Sequence, residues 1–244
     1  AVTDGRVYVL EVNPRASRTV PFVSKATGVS FAKIAARVMA GETLAELGLT
    51  EEVIPEHISI KEAVFPFIKF PSVDTVLGPE MKSTGEVMGI DSSFGAAFAK
   101  AELAAGNALP SAGSALLSVR NQDKTAIAGV ARTLVEAGIA VVATKGTTAF
   151  LSSKGIACRA VNKVRDGSPH TVDLIRAGEV SMVVNTPSSA EDLEDSFSLR
   201  RAALETGIPY FTTAAAATAA AEGIRLLSGT DPVVVALQDL YARE

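Results

Sequence analysis

The sequence predicts an α/β protein in which a five-stranded parallel sheet, covered by helices on both faces, follows an incomplete α+β segment. Short apolar segments alternate with helical ones five times after residue 114, which is typical of a parallel sheet buried on both faces. A run rich in glycine, proline and serine precedes this alternation at residues 106–114. The segment before that run lacks the alternation. We therefore expect two domains, at residues 1–106 and 107–244.

The regular second half supplies the predicted sheet. Its strands combine aliphatic residues with glycine or polar residues at their ends, and its helices follow each strand after a short turn. The predicted strands are 115–119, 139–143, 159–162, 180–185 and 208–211, and the predicted helices are 123–136, 147–153, 171–177, 191–206 and 213–227.

The first half contains fewer elements. A turn at Thr3-Asp4-Gly5 leads into a strand at 7–12, and a helix at 30–40 is followed by a short turn at 43–47. Strands are expected at 60–67 and 85–90, the first at a sheet edge because Pro66 cannot donate a ladder hydrogen bond. Asp91 or Ser92 should cap a final helix that reaches Ala105.

Composition excludes several classes of function. The net charge of −4 gives no reason to expect a nucleic-acid partner. A single cysteine, Cys158, rules out a disulfide framework and fits a reducing cytoplasm as a packed thiol. No apolar run approaches the ~18 residues that cross a membrane. Because the sequence starts inside a hairpin without Met, we expect a longer parent protein.

Four predicted strand ends carry polar residues that suit an anion. Parallel sheets bind ligands at the carboxyl ends of their strands, and helix N-termini there attract phosphate. Gly146 would let the backbone approach an oxyanion, and three lysines add charge. The alternative is that the hydroxyl and amide groups cap helices while the lysines are solvated. The candidate residues are Ser118, Lys124, Thr144, Lys145, Gly146, Thr147, Lys163, Asn185 and Thr186.

A second candidate site lies at the end of the first long strand. Glu11 and Asn13, two residues apart, should project from one face of that strand. A carboxylate and an amide oxygen are hard ligands of the kind Mg²⁺ takes. Arg15 and Arg18 could then hold phosphoryl oxygens. A plain solvent-exposed face explains the same pattern equally well.

The second half offers no evident catalytic group. His170 lies in a Gly-Ser-Pro-His turn, and we interpret it as structural or solvated. No Ser–His–Asp spacing or metal-ligand cluster stands out in the sequence.

Two long motifs resemble the large subunit of carbamoyl-phosphate synthetase. Residues 11–28, which begin Glu-Val-Asn-Pro-Arg, are similar to the metal-binding strand and loop of its second ATP-grasp unit. Residues 78–89 are similar to the segment before the last helix of that unit. From about residue 107 the chain resembles the terminal domain of the family, which shares a fold with methylglyoxal synthase. The resemblance covers essentially the whole chain.

The resemblance implies roles in an enzyme that makes carbamoyl phosphate from bicarbonate, glutamine-derived ammonia and ATP. Glu11 and Asn13 would hold Mg²⁺ or Mn²⁺ under the ATP phosphates, and Arg15 and Arg18 would face the phosphoryl acceptor. The ATP-binding lysines would lie before Ala1, so we expect no catalysis by this segment alone. A glutaminase small subunit, homo-oligomeric assembly and a cytoplasmic location are also implied.

The resemblance further implies that the second half is a regulatory domain for a nucleotide monophosphate, bound by the strand-end residues. Glu62 and Thr212 match positions that contact ornithine between the domains in bacterial members. Lys145, Pro187 and residues 212–218 depart from the family pattern and bear on which nucleotide binds. Two alternatives are a lyase acting on a triose phosphate and a stand-alone nucleotide-binding module.

Overall fold

The computed structural model of the chain describes residues 1–70, 73–77, 82–187, 193–194, 196–228 and 232–241. It divides into two compact units, one of residues 1–55 with 235–244 and one of residues 56–234. Residues 56–106 thus pack with the second half of the chain. The functional boundary expected at 106/107 stays a prediction.

The first unit opens with a two-residue hairpin. β1 (Val2–Thr3) pairs antiparallel with β2 (Arg6–Val7). Asp4 and Gly5 both have positive φ, 49° and 72°, as the tight hairpin turn between short strands requires. The predicted turn is confirmed.

The strand predicted at 7–12 is wrong beyond its first residue. Residues 8–12 have no regular secondary structure and are exposed. β2 pairs only with β1 in the part of the chain that the structure describes. Strand propensity largely measures how well side chains fit a half-buried pleated surface, and these residues have no such surface here. Val9, Leu10 and Val12 are 79–80% exposed as a result.

The described residues of the first unit also form three helices: α1 (Thr19–Thr27), α2 (Phe31–Met39) and α9 (Leu237–Tyr241). The structure confirms the helix predicted at 30–40 and adds α1, which was not predicted. Gly28 ends α1 with φ 74°, the left-handed conformation that favours glycine. A β-carbon there would lie 2.9 Å from Tyr241 Cδ1, and the Tyr241 hydroxyl donates to the Lys25 carbonyl.

The second unit begins with an antiparallel pair and a helix. β3 (Ile58–Val64) pairs with β4 (Gly85–Asp91), and Ser93 precedes α3 (Phe94–Ala105). Both strands are confirmed, with shifted ends. The helix starts after Ser93 rather than Asp91 or Ser92, because the strand continues through Asp91. A β-carbon at Gly89 would lie 2.0 Å from the Ala97 carbonyl oxygen, so this glycine permits close packing of strand and helix.

The predicted five-stranded parallel sheet is confirmed, in the order β7-β6-β5-β8-β9. The chain runs outward from β5 to β7 and then returns to β8 on the other side of β5. The first strand therefore lies at the point where the strand order reverses. The strands are β5 (Ser114–Val119), β6 (Ala140–Thr144), β7 (Arg159–Val161), β8 (Met182–Thr186) and β9 (Tyr210–Phe211).

Helices cover both faces of this sheet, as predicted. Alternate strand residues face opposite sides, so Leu117 and Val184 join one apolar core while Leu116 and Val183 join the other. The first core includes residues of α4, α5 and α8, and the second includes residues of α6 and α7. The helices are α4 (Lys124–Glu136), α5 (Lys145–Ser153), α6 (Thr171–Arg176), α7 (Phe197–Glu205) and α8 (Ala214–Leu227).

Two glycines bring α3 against α8. A β-carbon at Gly95 would lie 2.7 Å from Leu226 Cδ1, and one at Gly223 would lie 3.1 Å from the Gly95 carbonyl oxygen. Phe98 of α3 is buried in the first core of the sheet. This packing explains why residues 56–106 belong to the second unit. None of the helices described is long and apolar enough to traverse a bilayer.

Candidate functional site

The carboxyl ends of the sheet strands bring most of the predicted anion-binding residues to one edge. Ser118 lies near the end of β5, Thr144 ends β6, and Thr186 ends β8 beside Asn185. The N-termini of α4 and α5 start at this same edge, α4 with four residues between it and the end of β5, and α5 directly after β6. The edge therefore combines free backbone N–H groups with hydroxyl and amide side chains, a combination suited to an anion.

Several of the candidate residues meet at the N-terminus of α5. Thr144 takes the extended conformation of an N-cap residue, and its hydroxyl lies 3.5 Å from that of Thr147. Both threonines are buried. Lys124 Nζ donates to the Gly146 carbonyl at 2.8 Å, which places an ammonium group beside the start of the helix. Positive charge and helix dipole thus act together at one point.

Two further lysines, Lys145 and Lys163, also belong to the predicted anion site. Lys145 is the first residue of α5 and is exposed. Lys163 follows β7 and is partly buried, and the neighbouring Asn162 uses its side chain locally, donating from Nδ2 to the Gly167 carbonyl at 3.0 Å. Ligand contact by Lys145 and Lys163 stays a prediction.

The β5–β8 side of the edge is built differently, because its polar groups bind one another. Asn185 is 3% exposed, and its Nδ2 donates to the Ser118 carbonyl at 3.1 Å. The backbone N–H of Arg120 donates to both the carbonyl and the hydroxyl oxygen of Thr186, at 3.1 and 3.2 Å. These contacts hold the strand ends in register. Whether Ser118, Asn185 and Thr186 also contact a ligand stays a prediction; Ser188 and Ser189 lie outside the described residues.

A buried arginine that sequence reasoning missed lies behind Asn185. Arg200 is 1% exposed and donates from Nη1 to Asn185 Oδ1 at 2.8 Å. It also donates from Nε to Asp74 Oδ1 at 2.7 Å, from Nη2 to Asp74 Oδ2, and from Nη2 to the Leu193 carbonyl at 2.7 Å. Burial acts to raise the pKa of the Asp74 carboxyl, but the hydrogen bonds and charge of Arg200 outweigh it and hold that pKa below its usual value.

The structural interpretation of His170 is confirmed. His170 is the N-cap of α6, and its Nδ1 accepts a hydrogen bond from the Asp173 backbone N–H at 3.3 Å. Asp173 reciprocates by accepting from the His170 N–H at 2.9 Å. This N–H and the Ser168 hydroxyl lower the pKa of Asp173. The pair forms a capping box, with a histidine in the place usually taken by serine or threonine.

The candidate metal pair of the first unit lies on an exposed loop rather than on a strand. Asn13 Nδ2 donates to Glu11 Oε1 at 2.9 Å, so the two side chains do meet. The Arg15 N–H donates to the Asn13 carbonyl at 2.8 Å, and Arg18 immediately precedes α1. All four side chains are exposed. The pair offers oxygen ligands of the type that suits a divalent ion. Two side chains are too few to fill the coordination sphere of such an ion.

Among the described residues, no group of three or more His, Cys, Asp and Glu side chains is arranged to hold a metal ion. A pair of oxygen donors suits an ion that takes its remaining ligands from water or phosphate, as Mg²⁺ commonly does. The proposed metal-binding role of Glu11 and Asn13 therefore stays a prediction.

Glu62 and Thr212 both belong to the second unit, and no hydrogen bond joins them among the described residues. Glu62 lies in β3, and Thr212 lies between β9 and α8. Burial raises the pKa of Glu62. Burial, followed by the charge of Glu62, raises the pKa of Glu102 in α3 to about 7, although Asn107 donates to Glu102 at 3.0 Å. Sequence reasoning missed Glu102, whose carboxyl shares this acidic region with Glu62.

Comparisons with known proteins agree with both halves of the chain. The family model for the "Carbamoyl-phosphate synthase L chain, ATP binding domain" matches residues 1–47, and that for the "MGS-like domain" matches residues 126–212. The carbamoyl phosphate synthase large chain of Pseudomonas putida is 55% identical over 242 residues, covering 99% of this chain and 22% of the relative. That of Pasteurella multocida is 55% identical over 244 residues, covering 100% of this chain and 23% of the relative. The chain thus spans less than a quarter of the length of the relatives it matches.

Proposed function

The chain belongs to the family of carbamoyl phosphate synthase large chains, of which it matches the C-terminal part, and we propose that it joins an ATP-dependent catalytic segment to a nucleotide-binding regulatory domain. The reaction of the whole protein would be the synthesis of carbamoyl phosphate from bicarbonate, glutamine-derived ammonia and ATP. The segment described here would supply part of the site that phosphorylates carbamate, and would not catalyse the reaction alone.

The catalytic proposal rests on the exposed loop of the first unit. The contact of 2.9 Å between Asn13 Nδ2 and Glu11 Oε1 keeps two oxygen-bearing side chains together. A divalent ion bound there, Mg²⁺ or Mn²⁺, would neutralise ATP phosphate charge. Arg15 and Arg18 follow on the same loop, and their planar guanidinium groups suit phosphoryl oxygens. The match of residues 1–47 to an ATP-binding domain supports this assignment.

The regulatory proposal rests on one observation, the convergence of Lys124, Gly146, Thr144 and Thr147 at the start of α5. An ammonium group, a helix N-terminus and two hydroxyls within one short segment favour a dianionic phosphate. A nucleotide monophosphate would place its phosphate there, within reach of Lys145 and Lys163. Ser118, Asn185 and Thr186 would border the rest of the ligand.

The proposed amine effector, ornithine, would bind near Glu62 and Thr212. Burial raises the pKa of Glu62, and burial followed by the charge of Glu62 raises that of Glu102, so two partly buried carboxyl groups interact in this region. An alkylammonium group would restore the charge balance there. A double-mutant cycle of Glu62→Ala and Thr212→Ala, scored on ornithine response, tests the pairing. Additive effects would show that the two residues do not share a ligand.

The proposed partners follow from the family. A glutaminase small subunit would supply ammonia to the whole protein, which we expect to form homo-oligomers in the cytoplasm. The name of the relatives, "large chain", supports a complex with a smaller partner.

Calorimetric titration of the chain with uridine monophosphate, inosine monophosphate and uridine tests the regulatory proposal. We expect at least one monophosphate to bind and uridine to bind far more weakly, because hydrogen bonds to the charged phosphate contribute about 1.5–3 kcal/mol each. Equal affinity for nucleoside and nucleotide would contradict a phosphate site at α5. A coupled assay for methylglyoxal, run on the same chain, distinguishes the lyase alternative.

A further inference from the structure

Arg200 is buried in a network that reaches across the second unit. Its guanidinium contacts the Asp74 carboxylate on one side and the Asn185 amide oxygen on the other, and only 1% of the residue is exposed. A buried arginine that faces both an acid and an amide is uncommon, because removing its charge from water is unfavourable unless every donor is paired. The Leu193 carbonyl accepts a further hydrogen bond from Nη2.

The network fixes the orientation of the Asn185 side chain. Because an arginine can only donate, the oxygen of the Asn185 amide must point to Nη1, 2.8 Å away. Nδ2 then points to the Ser118 carbonyl at 3.1 Å, with the Ser196 hydroxyl 3.4 Å away. One guanidinium thus determines how the ends of β5 and β8 are joined at the edge of the sheet.

The network also attaches a segment that is remote in sequence. Asp74 lies 126 residues before Arg200, between β3 and β4, and outside the predicted regulatory domain. Its Oδ1 also accepts from the Val76 N–H at 3.2 Å, so the carboxylate organises its own turn while pairing with Arg200. The ion pair Asp74–Arg200 therefore connects residues 73–77 to the strand ends that carry the proposed nucleotide site.

We propose that the Asp74–Arg200–Asn185 network is a coupling element, in which Arg200 positions Asn185 at the nucleotide site and Asp74 ties residues 73–77 to the state of that site. This inference rests on the proposed nucleotide site. A ligand that orders the β5–β8 strand ends would strengthen the attachment of residues 73–77. By thermodynamic linkage, detaching that segment would lower the affinity for the ligand by the same factor.

Hydrogen exchange of the whole chain, with and without saturating uridine monophosphate, tests the coupling without any substitution. We expect exchange in peptides covering residues 73–77 to slow by about fivefold or more, the lower end of usual coupling between sites. The surface turn near Thr43, in the first unit, supplies the internal reference and should be unchanged. Nucleotide binding without any protection of residues 73–77 would overturn the coupling while leaving the proposed nucleotide site intact. Absence of nucleotide binding would overturn the proposed regulatory function itself, and the coupling with it.

Asp74→Asn gives the reciprocal measurement. The substitution keeps the shape of the side chain but removes the charge paired with Arg200, and we expect the affinity for uridine monophosphate to fall by about fivefold or more. Glu205→Gln is the matched control, because it removes the acid paired with the adjacent Arg201 in the same helix, at 2.8 Å, without touching Asn185. Equal affinity of the Asp74→Asn and Glu205→Gln variants would overturn the proposal. If Asp74→Asn fails to fold, the exchange experiment on the unsubstituted chain still decides.

Discussion

The two candidate sites of the molecule are constructed in opposite ways. At the sheet edge, Thr144, Thr147 and Asn185 are buried and held by the fold before any ligand arrives. On the loop after the first hairpin, Glu11 and Asn13 are exposed, and their only described side-chain hydrogen bond joins them to each other. The first arrangement limits the ordering cost of binding, whereas the second leaves that cost to be met when its ligand binds.

This difference indicates how each site should respond to substitution. A substitution in a preorganised site should lower ligand affinity by about the free energy of the contact that it removes. Groups on an exposed loop affect binding or catalysis while leaving the stability of the fold almost unchanged. Three of the four predictions below use that contrast, and the one on Glu102 concerns stability; they run from the largest expected effect to the smallest.

Glu11→Gln in the full-length protein should reduce carbamoyl phosphate synthesis by about 100-fold or more, because loss of a direct metal ligand should cost at least as much as the roughly 10–100-fold lost with a residue that only orients a ligand. The substitution replaces a charged oxygen ligand by a neutral one of the same size, so stability should not change. Trapping of carbamoyl phosphate measures the rate, and nucleotide titration of the same variant checks that the regulatory site is intact.

Glu42→Gln is the control for that substitution. Glu42 is a partly exposed acid of the same unit, paired with Arg37, and its replacement should leave synthesis unchanged. Normal synthesis by the Glu11→Gln variant would exclude the metal role of Glu11.

Glu102 should make the stability of the chain fall as pH rises. Its pKa is raised by burial and by Glu62 from 4.5 to about 7, so the folded state binds more protons than the unfolded state between these values. Stability is therefore greatest below pH 4.5 with respect to this group, falls through about pH 7, and then levels off. At about 1.4 kcal/mol per pKa unit, Glu102→Gln should stabilise the chain by about 1–3 kcal/mol at pH 8.

Urea unfolding followed by circular dichroism at pH 5, 6, 7 and 8 measures this effect. Glu46 is the contrasting control, because hydrogen bonds from the Thr43 backbone and hydroxyl lower its pKa and the residue is exposed. Its replacement by Gln should give no stabilisation at pH 8. Parallel pH profiles for Glu102→Gln and the unsubstituted chain would show that Glu102 does not titrate in this range.

Lys163→Ala should weaken binding of uridine monophosphate by about tenfold, since loss of about 1.4 kcal/mol corresponds to that factor and a charged hydrogen bond contributes at least as much. Lys154→Ala is the matched control. Lys154 follows the last turn of α5, at the opposite end from the proposed phosphate site. Its Nζ lies 5.9 Å from the centroid of the Phe150 ring. An equal loss of affinity in both variants would indicate a general charge effect rather than a contact.

The fold of the second half could be predicted from sequence because each strand and helix carries its own pattern. Buried strands read as short aliphatic runs, and glycines such as Gly138 mark where helices end. The same reasoning failed for residues 8–12, whose strand-like composition has no paired neighbour in the described chain. Pairing is a tertiary property, and the local sequence does not contain it.

Some residues of the candidate site could be predicted from the sequence and others could not. Residues at strand ends were found because topology alone brings them to one edge. Arg200 was missed because arginine is rarely buried in proteins, and the apolar pattern of its helix is accounted for by Leu199, Ala202 and Ala203. Its partner Asp74 is 126 residues away in a turn, and no local pattern predicts that pairing.

Gly146→Ala should have the smallest effect and is the most specific test of the preorganised site. A β-carbon at Gly146 would meet only Lys124 Nζ, at 3.5 Å, an ordinary contact, so the variant should fold with unchanged or slightly higher stability. The same β-carbon would obstruct a phosphate oxygen that approaches the helix N-terminus. We therefore expect affinity for uridine monophosphate to fall about threefold to tenfold, or about 0.7–1.4 kcal/mol. Gly129→Ala is the matched control, because Gly129 lies inside α4 with no atom within 4 Å of its added β-carbon, and it should leave affinity unchanged. Unchanged affinity in the Gly146→Ala variant would place the phosphate away from α5, and the contact between the Thr144 and Thr147 hydroxyls would then be purely structural.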